Sequence, residues 1–322
     1  MNPCNLDHHQ EWYVVEHGDR RAGHDTGGGV ELTMHEKHHD RLRQRFDEAA
    51  ELYDRARPGY PPELVNDLFQ LAGIGAGSRV LEIGPGTGQL TLPLATRGCE
   101  IVAVELGAAL AALVQRKLAR FPAVTVVVSA FEDWPLPAAP FDAVLSATAF
   151  HWIDPVVRVT KVAHALRPEG TAAIISTHHI AGGDEDFFVD VQECYERWDP
   201  ATPPGLRLPT AEQIPSSGEE FTASGLFGDI VTRRYEYDVT YSTSAYLDVL
   251  LTYSGHRDLP EEARSSLLTC IGNLIEAKYS GQVTKRYLNE LQVARRRPMQ
   301  RAGRIGGLPL SGGSGETDLP AQ

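Results

Sequence analysis

Residues 79–88 read Arg-Val-Leu-Glu-Ile-Gly-Pro-Gly-Thr-Gly, and this stretch decides the fold. Its apolar first half predicts a buried parallel strand that runs into a tight turn. Gly84, Gly86 and Gly88 follow at alternate positions, where they allow positive φ and let a ligand lie against bare main chain. A helix that begins at Gln89 would direct its free N–H groups at that ligand. The stretch therefore predicts a strand–loop–helix unit that binds a small molecule.

A second apolar strand, Ile101-Val-Ala-Val-Glu105, ends in a carboxylate 17 residues beyond Gly88. In a β–α–β unit, an acid at the end of the second strand accepts hydrogen bonds from both hydroxyls of a ribose. NAD-dependent enzymes share this arrangement, so Glu105 alone indicates only a nucleoside. The dinucleotide fingerprint is Gly-x-Gly-x-x-Gly, whereas the third glycine of this chain comes one residue earlier.

Predicted strands and helices alternate from residue 79 onward. The strands are predicted at 79–83, 100–104, 124–128, 141–146, 171–176, 230–241 and 283–293. The helices are predicted at 89–97, 107–120, 154–166, 184–198, 244–254 and 260–279. Such alternation is typical of a doubly wound parallel sheet. We therefore predict an α/β, Rossmann-like fold with a mostly parallel seven-stranded sheet and a helical cap before the last strand.

The two ends of the chain lack the periodicity of a packed core. Residues 1–40 contain seven of the twelve histidines without a recurring metal-ligand spacing, so we predict a disordered leader and no metal site, with Met34 as an alternative start. Residues 301–322 are rich in glycine and proline and are predicted to be a disordered tail. Between them we predict one domain, 41–300, whose cofactor-binding core is 42–180 and whose substrate-side helices and final strands are 181–300.

The composition is that of a globular protein without membrane spans. The chain has 322 residues, is 42% hydrophobic and carries a formal net charge of −13. That charge argues against a nucleic-acid partner, because phosphate backbones attract basic patches. No apolar run approaches the roughly 18 residues that a membrane span needs.

The four cysteines, Cys4, Cys99, Cys194 and Cys270, are scattered without paired spacing. This pattern favours buried thiols in a reducing compartment over a disulfide framework or a zinc site. We therefore expect a cytoplasmic protein, a monomer or homodimer, whose partner is a small molecule.

Several segments resemble the class I S-adenosylmethionine-dependent methyltransferases. The acid-x-Gly-x-Gly-x-Gly pattern that begins at Glu82 is similar to motif I of that family. Residues 141–146 and 166–170 stand where the family carries its FDxV and LRPGG segments, with Glu169 in place of a glycine. Tyr53 and Arg57-Pro-Gly-Tyr60, together with Ala149-Phe-His-Trp152, are similar to the subgroup that includes trans-aconitate methyltransferase.

This resemblance implies that the cofactor is S-adenosylmethionine. The three glycines would pass under its methionine portion and ribose, Glu82 would face its amino group, and Glu105 would hold the ribose hydroxyls. Phe131 and Glu132 would meet the adenine edge. The cofactor-binding residues that the resemblance implies are Glu82, Gly84, Gly86, Gly88, Glu105, Phe131, Glu132, Tyr53 and Arg57.

The acceptor side is expected beyond the carboxyl ends of the strands, where doubly wound sheets bind ligands. His151 is the first candidate for a catalytic base or orienting residue, because histidine titrates near neutrality, and His178 is the second. The candidate substrate-binding residues are Tyr60, Phe150, Trp152 and Tyr253.

The leading hypothesis is a methyltransferase that acts on a small organic carboxylate, hydroxyl or amine. A carboxylate acceptor would need a cationic clamp such as Arg57 and no base, whereas the other acceptors would use His151 or His178. One alternative is a nicotinamide-dependent oxidoreductase, which the glycine spacing and the lack of a Tyr-x-x-x-Lys pair after the fourth strand disfavour. The other is a non-catalytic S-adenosylmethionine-binding protein. A nucleic-acid methyltransferase is weaker, because residues 149–152 lack the Asn/Asp-Pro-Pro-aromatic motif.

Overall fold

The structure is a computed structural model that describes residues 47–298 except 201 and 217. The predicted leader, the alternative start at Met34 and the predicted tail lie outside the described residues. Within the described range, every helix is too short or too polar to reach across a bilayer.

Seven strands form the central sheet: β1 (Arg79–Ile83), β2 (Glu100–Glu105), β3 (Val124–Val128), β4 (Phe141–Ala147), β5 (Leu166–Gly183), β6 (Phe227–Ser242) and β7 (Gln282–Arg296). Their order across the sheet is β3-β2-β1-β4-β5-β7-β6. The first five strands pair in parallel, whereas β7 is antiparallel to both β5 and β6. The α/β, Rossmann-like prediction is confirmed, and the sheet is mixed.

The described α-helices are α1 (Ala50–Ala56), α2 (Pro62–Ala72), α3 (Thr91–Thr96), α4 (Ala108–Lys117), α5 (Arg158–Ala165), α6 (Glu185–Asp190), α7 (Gln192–Trp198), α8 (Glu219–Ala223), α9 (Thr243–Leu250), α10 (Ser254–Asp258) and α11 (Glu261–Lys278). The helix predicted at 184–198 is two helices, α6 and α7, which meet at Val191. The strand predicted at 171–176 extends to Gly183, because β7 continues to pair with it as far as Lys285.

The central strands β1 and β4 are buried on both faces, as parallel strands covered by helices must be. Val80 and Ala143 belong to the hydrophobic cluster on one face, while Leu81 and Val144 belong to the cluster on the other. This alternation follows from the two-residue period of a strand. It fixes the register of β1 against β4 and so the position of the loops that follow them.

A third hydrophobic cluster lies between the ends of β6 and β7 and the helices α6, α7, α9 and α11. This cap contains a disulfide between Cys194 on α7 and Cys270 on α11. The expectation of free thiols is therefore wrong for this pair, while Cys99 is a buried free thiol. The two cysteines are 76 residues apart in the chain, and only tertiary packing brings them together.

Removing the disulfide should destabilise the protein substantially. Closing a loop of 76 residues restricts the unfolded chain by about 4 kcal/mol. We expect the double variant Cys194→Ala/Cys270→Ala to lose about that much unfolding free energy in urea titrations. Reduced wild type should behave like the variant, and Cys99→Ala should leave the response to reductant unchanged. Coincident urea midpoints for oxidised wild type and the double variant would contradict the bond.

Candidate active site

A cleft with about 1250 Å³ of empty space, partly open to solvent, lies at the carboxyl ends of the parallel strands. Part of its wall is the loop that follows β1, and other parts come from the ends of β4 and β5 and from Tyr237 and Tyr287. Residues between α1 and α2 also line it. This is the edge where doubly wound sheets bind ligands.

Glycines give the loop after β1 its shape. Gly84, Gly86 and Gly88 have φ values of +66°, +57° and +88°, which side chains with a Cβ avoid. A Cβ on Gly84 would lie 2.5 Å from Ala149 Cβ, and one on Gly88 would lie 2.8 Å from Val114 Cγ2. A Cβ on Gly86 would meet nothing within 4 Å, so the bare main chain of Gly86 faces the open cleft.

Glu105 ties this loop to the end of β2. Its Oε2 accepts the Gly86 N–H and its Oε1 accepts the Gly107 N–H, each at 2.9 Å. Burial raises the pKa of Glu105, and the two N–H donors act against that rise. Each carboxylate oxygen can accept a second hydrogen bond, so Glu105 keeps acceptor capacity toward the cleft that it lines.

Glu82 is a buried acid at the floor of the cleft, with 1% of its surface exposed. Its Oε2 accepts no hydrogen bond from the described residues. Burial raises the pKa of Glu82 from 4.5 to about 8, the Thr91 hydroxyl lowers it, and the charge of Glu105 raises it further. A cation in the cleft would favour the carboxylate form, so Glu82 suits a positively charged ligand group.

Four polar side chains form a continuous row, of which three line the cleft and the fourth, Asn289, is fully buried. Tyr60 Oη lies 3.1 Å from Thr148 Oγ1, which lies 3.2 Å from Thr177 Oγ1. Asn289 Nδ2 donates to Thr177 Oγ1 at 2.8 Å. The register of β5 against β7 sets Thr177 directly opposite Asn289. We call Tyr60, Thr148, Thr177 and Asn289 the polar row.

Thr148 has a strained backbone, with φ at +56°. A β-branched residue in the left-handed region is an outlier, and such strain costs about 1–3 kcal/mol. Its N–H donates to the Ile175 carbonyl at 2.7 Å, which anchors the turn to β5. Ala149 then packs against Gly84, so the strained turn and the glycine loop fix each other.

Arg57 joins the cleft to the cap. Its Nε donates to Thr252 Oγ1 at 2.7 Å. Its guanidinium lies over the Tyr253 ring at 4.2 Å and over the Tyr53 ring at 5.1 Å. Arg57 and Tyr53 line the cleft, whereas Tyr253 is buried one layer behind them.

Comparison with known proteins identifies the domain. Residues 81–174 match the family described as "Methyltransferase domain". An uncharacterized methyltransferase of Mycobacterium tuberculosis is 37% identical over 130 residues, which are 40% of this chain and 51% of that protein. Demethylmenaquinone methyltransferase of Tropheryma whipplei is 24% identical over 161 residues, which are 47% of this chain and 64% of that protein. Residues 81–174 are therefore similar to a methyltransferase domain.

The likeness extends to solved structures at the level of the fold. A putative type II methyltransferase from Anaeromyxobacter dehalogenans superposes with a TM-score of 0.54 at 22% identity, over 75% of this chain and 99% of that one. The chain spans about half the length of the Mycobacterium tuberculosis relative. These comparisons show a methyltransferase-like domain at 81–174 and the fold of such domains.

The chemistry of the cleft fits S-adenosylmethionine. Glu82 offers a buried, open carboxylate oxygen to a cationic amino group, and the bare main chain of Gly86 leaves room above it. Glu105 offers acceptors for ribose hydroxyls. Leu106 and Phe131 give the same cleft an apolar end that suits a flat base. The cleft therefore holds acceptor groups for an ammonium and for ribose hydroxyls together with an apolar surface for the base.

Some of the residues predicted to contact the adenine or the acceptor line the cleft, and others do not. Phe131 and Trp152 line the cleft. Glu132 does not line it, and its Oε1 accepts the Asp154 N–H at 3.1 Å. Phe150 is in the core, with its ring 5.5 Å from that of Phe221.

The two candidate catalytic histidines are not on the cleft wall. His151 lies in a 3-10 turn with its ring 5.0 Å from that of Trp152. His178 is the neighbour of Thr177 on β5, so it faces the other side of the sheet. Burial there lowers the pKa of His178, and the nearby Glu290 carboxylate opposes this shift.

Sequence reasoning missed several residues that line or support the cleft of the methyltransferase domain. Thr148 has no motif, and its strained φ is a property of the folded chain. Tyr237, Tyr287 and Asn289 come from β6 and β7, where the alternating pattern indicates only strands. The one available signal was the tyrosine-rich alternation along 235–241, which also fits ordinary core packing.

Proposed function

We propose that this chain transfers the methyl group of S-adenosylmethionine to a small organic acceptor. The observation that carries the proposal is that one cleft holds both sets of residues. All of Glu82, Glu105, Tyr237 and Tyr287 line this cleft; we assign the two acids to the cofactor and the two tyrosines to the acceptor. The cofactor supplies a methyl group already activated by a positively charged sulfur, so the protein's task is chiefly alignment.

Two tyrosines can align an acceptor without acting as bases. Burial raises the pKa of Tyr237 and of Tyr287 above its ordinary value. Their phenols are therefore protonated at neutral pH and donate hydrogen bonds. Such donors orient the oxygen or nitrogen atoms of an acceptor and leave its nucleophilic lone pair free.

We propose that the acceptor needs no enzymatic base. Among the described residues, no histidine side chain lines the cleft, and the proposal assigns no step to His151 or His178. A carboxylate meets this requirement because it is already ionised at neutral pH. Arg57 supplies the nearby positive charge, and the resemblance of its segment to the trans-aconitate methyltransferase subgroup favours carboxylates as the first acceptors to test.

The other predicted residues take supporting roles in the proposal. Phe131 would pack on the adenine, and Glu132 would hold the neighbouring loop through the Asp154 N–H. Tyr53 would cover the cofactor, and Tyr253 would hold Arg57 in place from behind. Trp152 would bound the acceptor space.

The proposed partner is a small molecule and not a nucleic acid, in keeping with the net charge of −13. A cytoplasmic location was expected from unpaired cysteines. The bond between Cys194 and Cys270 argues against a strongly reducing compartment, because disulfides are rare there.

Methyl transfer is tested by turnover with S-adenosylmethionine labelled in its methyl group. Wild type should label at least one member of a panel of small carboxylic acids, phenols and amines. Gly86→Val should not, because its side chain enters the open cleft and its φ of +57° disfavours any residue with a Cβ. A matched control is Gly73→Val, at a glycine with a φ of +65° whose Cβ would also meet nothing within 4 Å and which lies outside the cleft wall. Wild type that binds the cofactor and labels no acceptor class would favour a non-catalytic binding protein.

A further inference from the structure

The polar row is anchored at its buried end. Asn289 Nδ2 can only donate, so Thr177 Oγ1 accepts its hydrogen bond at 2.8 Å. Thr177 Oγ1 lies 3.2 Å from Thr148 Oγ1, and Thr148 Oγ1 lies 3.1 Å from Tyr60 Oη; in each pair either hydroxyl can donate. An anion beside Tyr60 selects the arrangement in which Thr148 donates to Tyr60 Oη. The Tyr60 proton is then free to point into the cleft, which Tyr60 lines.

Two residues of the polar row, Asn289 and Thr148, have energetically unfavourable features. Asn289 is fully buried, and its Oδ1 accepts no hydrogen bond from the described residues. Thr148 keeps a φ of +56°, although a glycine there would avoid the strain. Buried unpaired polar atoms and strained residues concentrate at functional sites. If this part of the cleft wall were purely structural, apolar residues would form it equally well.

Tyr60 lies beside the proposed site of the cofactor's amino group. Tyr60 and Glu82 line the same cleft, Tyr60 Oη is hydrogen-bonded to Thr148, and the next residue, Ala149, packs against Gly84, two residues beyond Glu82. The amino-acid end of the cofactor carries an ammonium and a carboxylate on one carbon atom. If Glu82 takes the ammonium, an O–H donor beside Glu82 meets the carboxylate.

We infer that Asn289, Thr177 and Thr148 are positioning residues that fix Tyr60 as a hydrogen-bond donor to the carboxylate of the cofactor's amino-acid end. The inference deepens the proposed function and rests on it for the placement of that end beside Glu82. The sequence predicts Tyr60 as a substrate-binding residue, whereas this inference assigns its hydroxyl to the cofactor.

The test is calorimetric binding of S-adenosylhomocysteine, which needs no turnover. Tyr60→Phe should weaken binding by about tenfold or more, because hydrogen bonds to charged groups are the stronger ones. Thr148→Val keeps the size and the β-branch of the side chain but removes the hydroxyl that bonds to Tyr60, so the row no longer reaches Tyr60. It should weaken binding by about threefold, since each link of a hydrogen-bonded row polarises the next. Thr177→Val is a second variant that breaks the row and should act in the same direction.

The double variant Tyr60→Phe/Thr148→Val separates positioning from a structural role. It should bind no more weakly than Tyr60→Phe alone, because Thr148 acts through Tyr60. Binding of 5′-methylthioadenosine, which lacks the amino-acid end, should be the same in wild type and all variants. Thr171→Val is the matched control, a buried threonine of β5 that donates to the Ala72 carbonyl at 3.2 Å, outside the cleft wall. It should leave both affinities unchanged.

Three results would overturn the inference. In the first, Thr148→Val weakens both nucleosides equally, which indicates general distortion of the cleft. In the second, its effect persists in the Tyr60→Phe background. In the third, wild type fails to bind S-adenosylhomocysteine. Failure of the proposed function looks different, because S-adenosylhomocysteine would bind with the expected pattern while no acceptor receives a methyl group.

Discussion

Glu105→Ala is expected to weaken S-adenosylmethionine binding by at least about a hundredfold. The variant removes the acceptors of the Gly86 and Gly107 N–H groups, which hold the glycine loop. It also removes the acceptor proposed for the two ribose hydroxyls. Each hydrogen bond to a charged group contributes about 1.5–3 kcal/mol, so losing the two ribose bonds alone costs about 3–6 kcal/mol. Isothermal titration calorimetry measures the change directly.

Two controls separate this effect from general damage. Glu100→Ala changes an exposed acid at the other end of β2 and should bind normally. His151→Ala changes a residue outside the cleft wall and should also leave cofactor affinity nearly intact. Circular dichroism should show that the Glu105 variant is folded. A folded Glu105→Ala variant that binds within a few-fold of wild type would remove Glu105 from the cofactor site.

Cofactor affinity should rise by up to about tenfold per pH unit between pH 6 and 7.5. In the cofactor-free protein, burial raises the pKa of Glu82 to about 8, so its carboxyl group is largely protonated in this range. A cationic amino group beside it lowers that pKa, and binding therefore releases a proton. Higher pH favours a reaction that releases protons. The rise should end near pH 8, where an α-amino group begins to lose its own charge.

Proton release is measured by calorimetry in two buffers with different heats of ionisation. Glu82→Gln should bind more weakly and lose most of the pH dependence. 5′-Methylthioadenosine, which lacks the amino group, should show little pH dependence with wild type. Equal pH slopes for wild type and Glu82→Gln would contradict the pairing of Glu82 with the amino group.

The same raised pKa affects the cofactor-free protein in the opposite sense. The fold favours the neutral acid, so the contribution of Glu82 to stability is full below about pH 4.5 and declines as pH rises toward about 8. Cofactor binding therefore uses a carboxylate that the empty fold accommodates poorly.

The part of the fold that depends on local pattern was predictable from sequence. The run 79–83 and the glycines after it define β1 and its loop, and the alternation up to residue 147 defines four parallel strands. The extension of β5 to Gly183 was not predictable, because it depends on pairing with β7 about 100 residues later. The bond between Cys194 and Cys270 was missed for the same reason, since it joins helices of the cap that are distant in sequence.

The residues of the candidate site also differ in whether they could be predicted from sequence. Glu82, Gly86 and Glu105 lie within 24 residues and form a pattern that can be read along the chain. The polar row draws Tyr60, Thr148, Thr177 and Asn289 from four separate segments. None of these four residues belongs to a short sequence motif with a fixed spacing. Only the sheet register and the strained turn after β4 bring them together.

The most direct test of the central claim is parallel calorimetric titration of the purified protein with S-adenosylmethionine, S-adenosylhomocysteine and NADH. We predict micromolar binding of the two sulfur nucleosides and no binding of NADH, because the glycine loop and Glu82 suit a cationic amino-acid end. Binding of NADH alone would contradict the account.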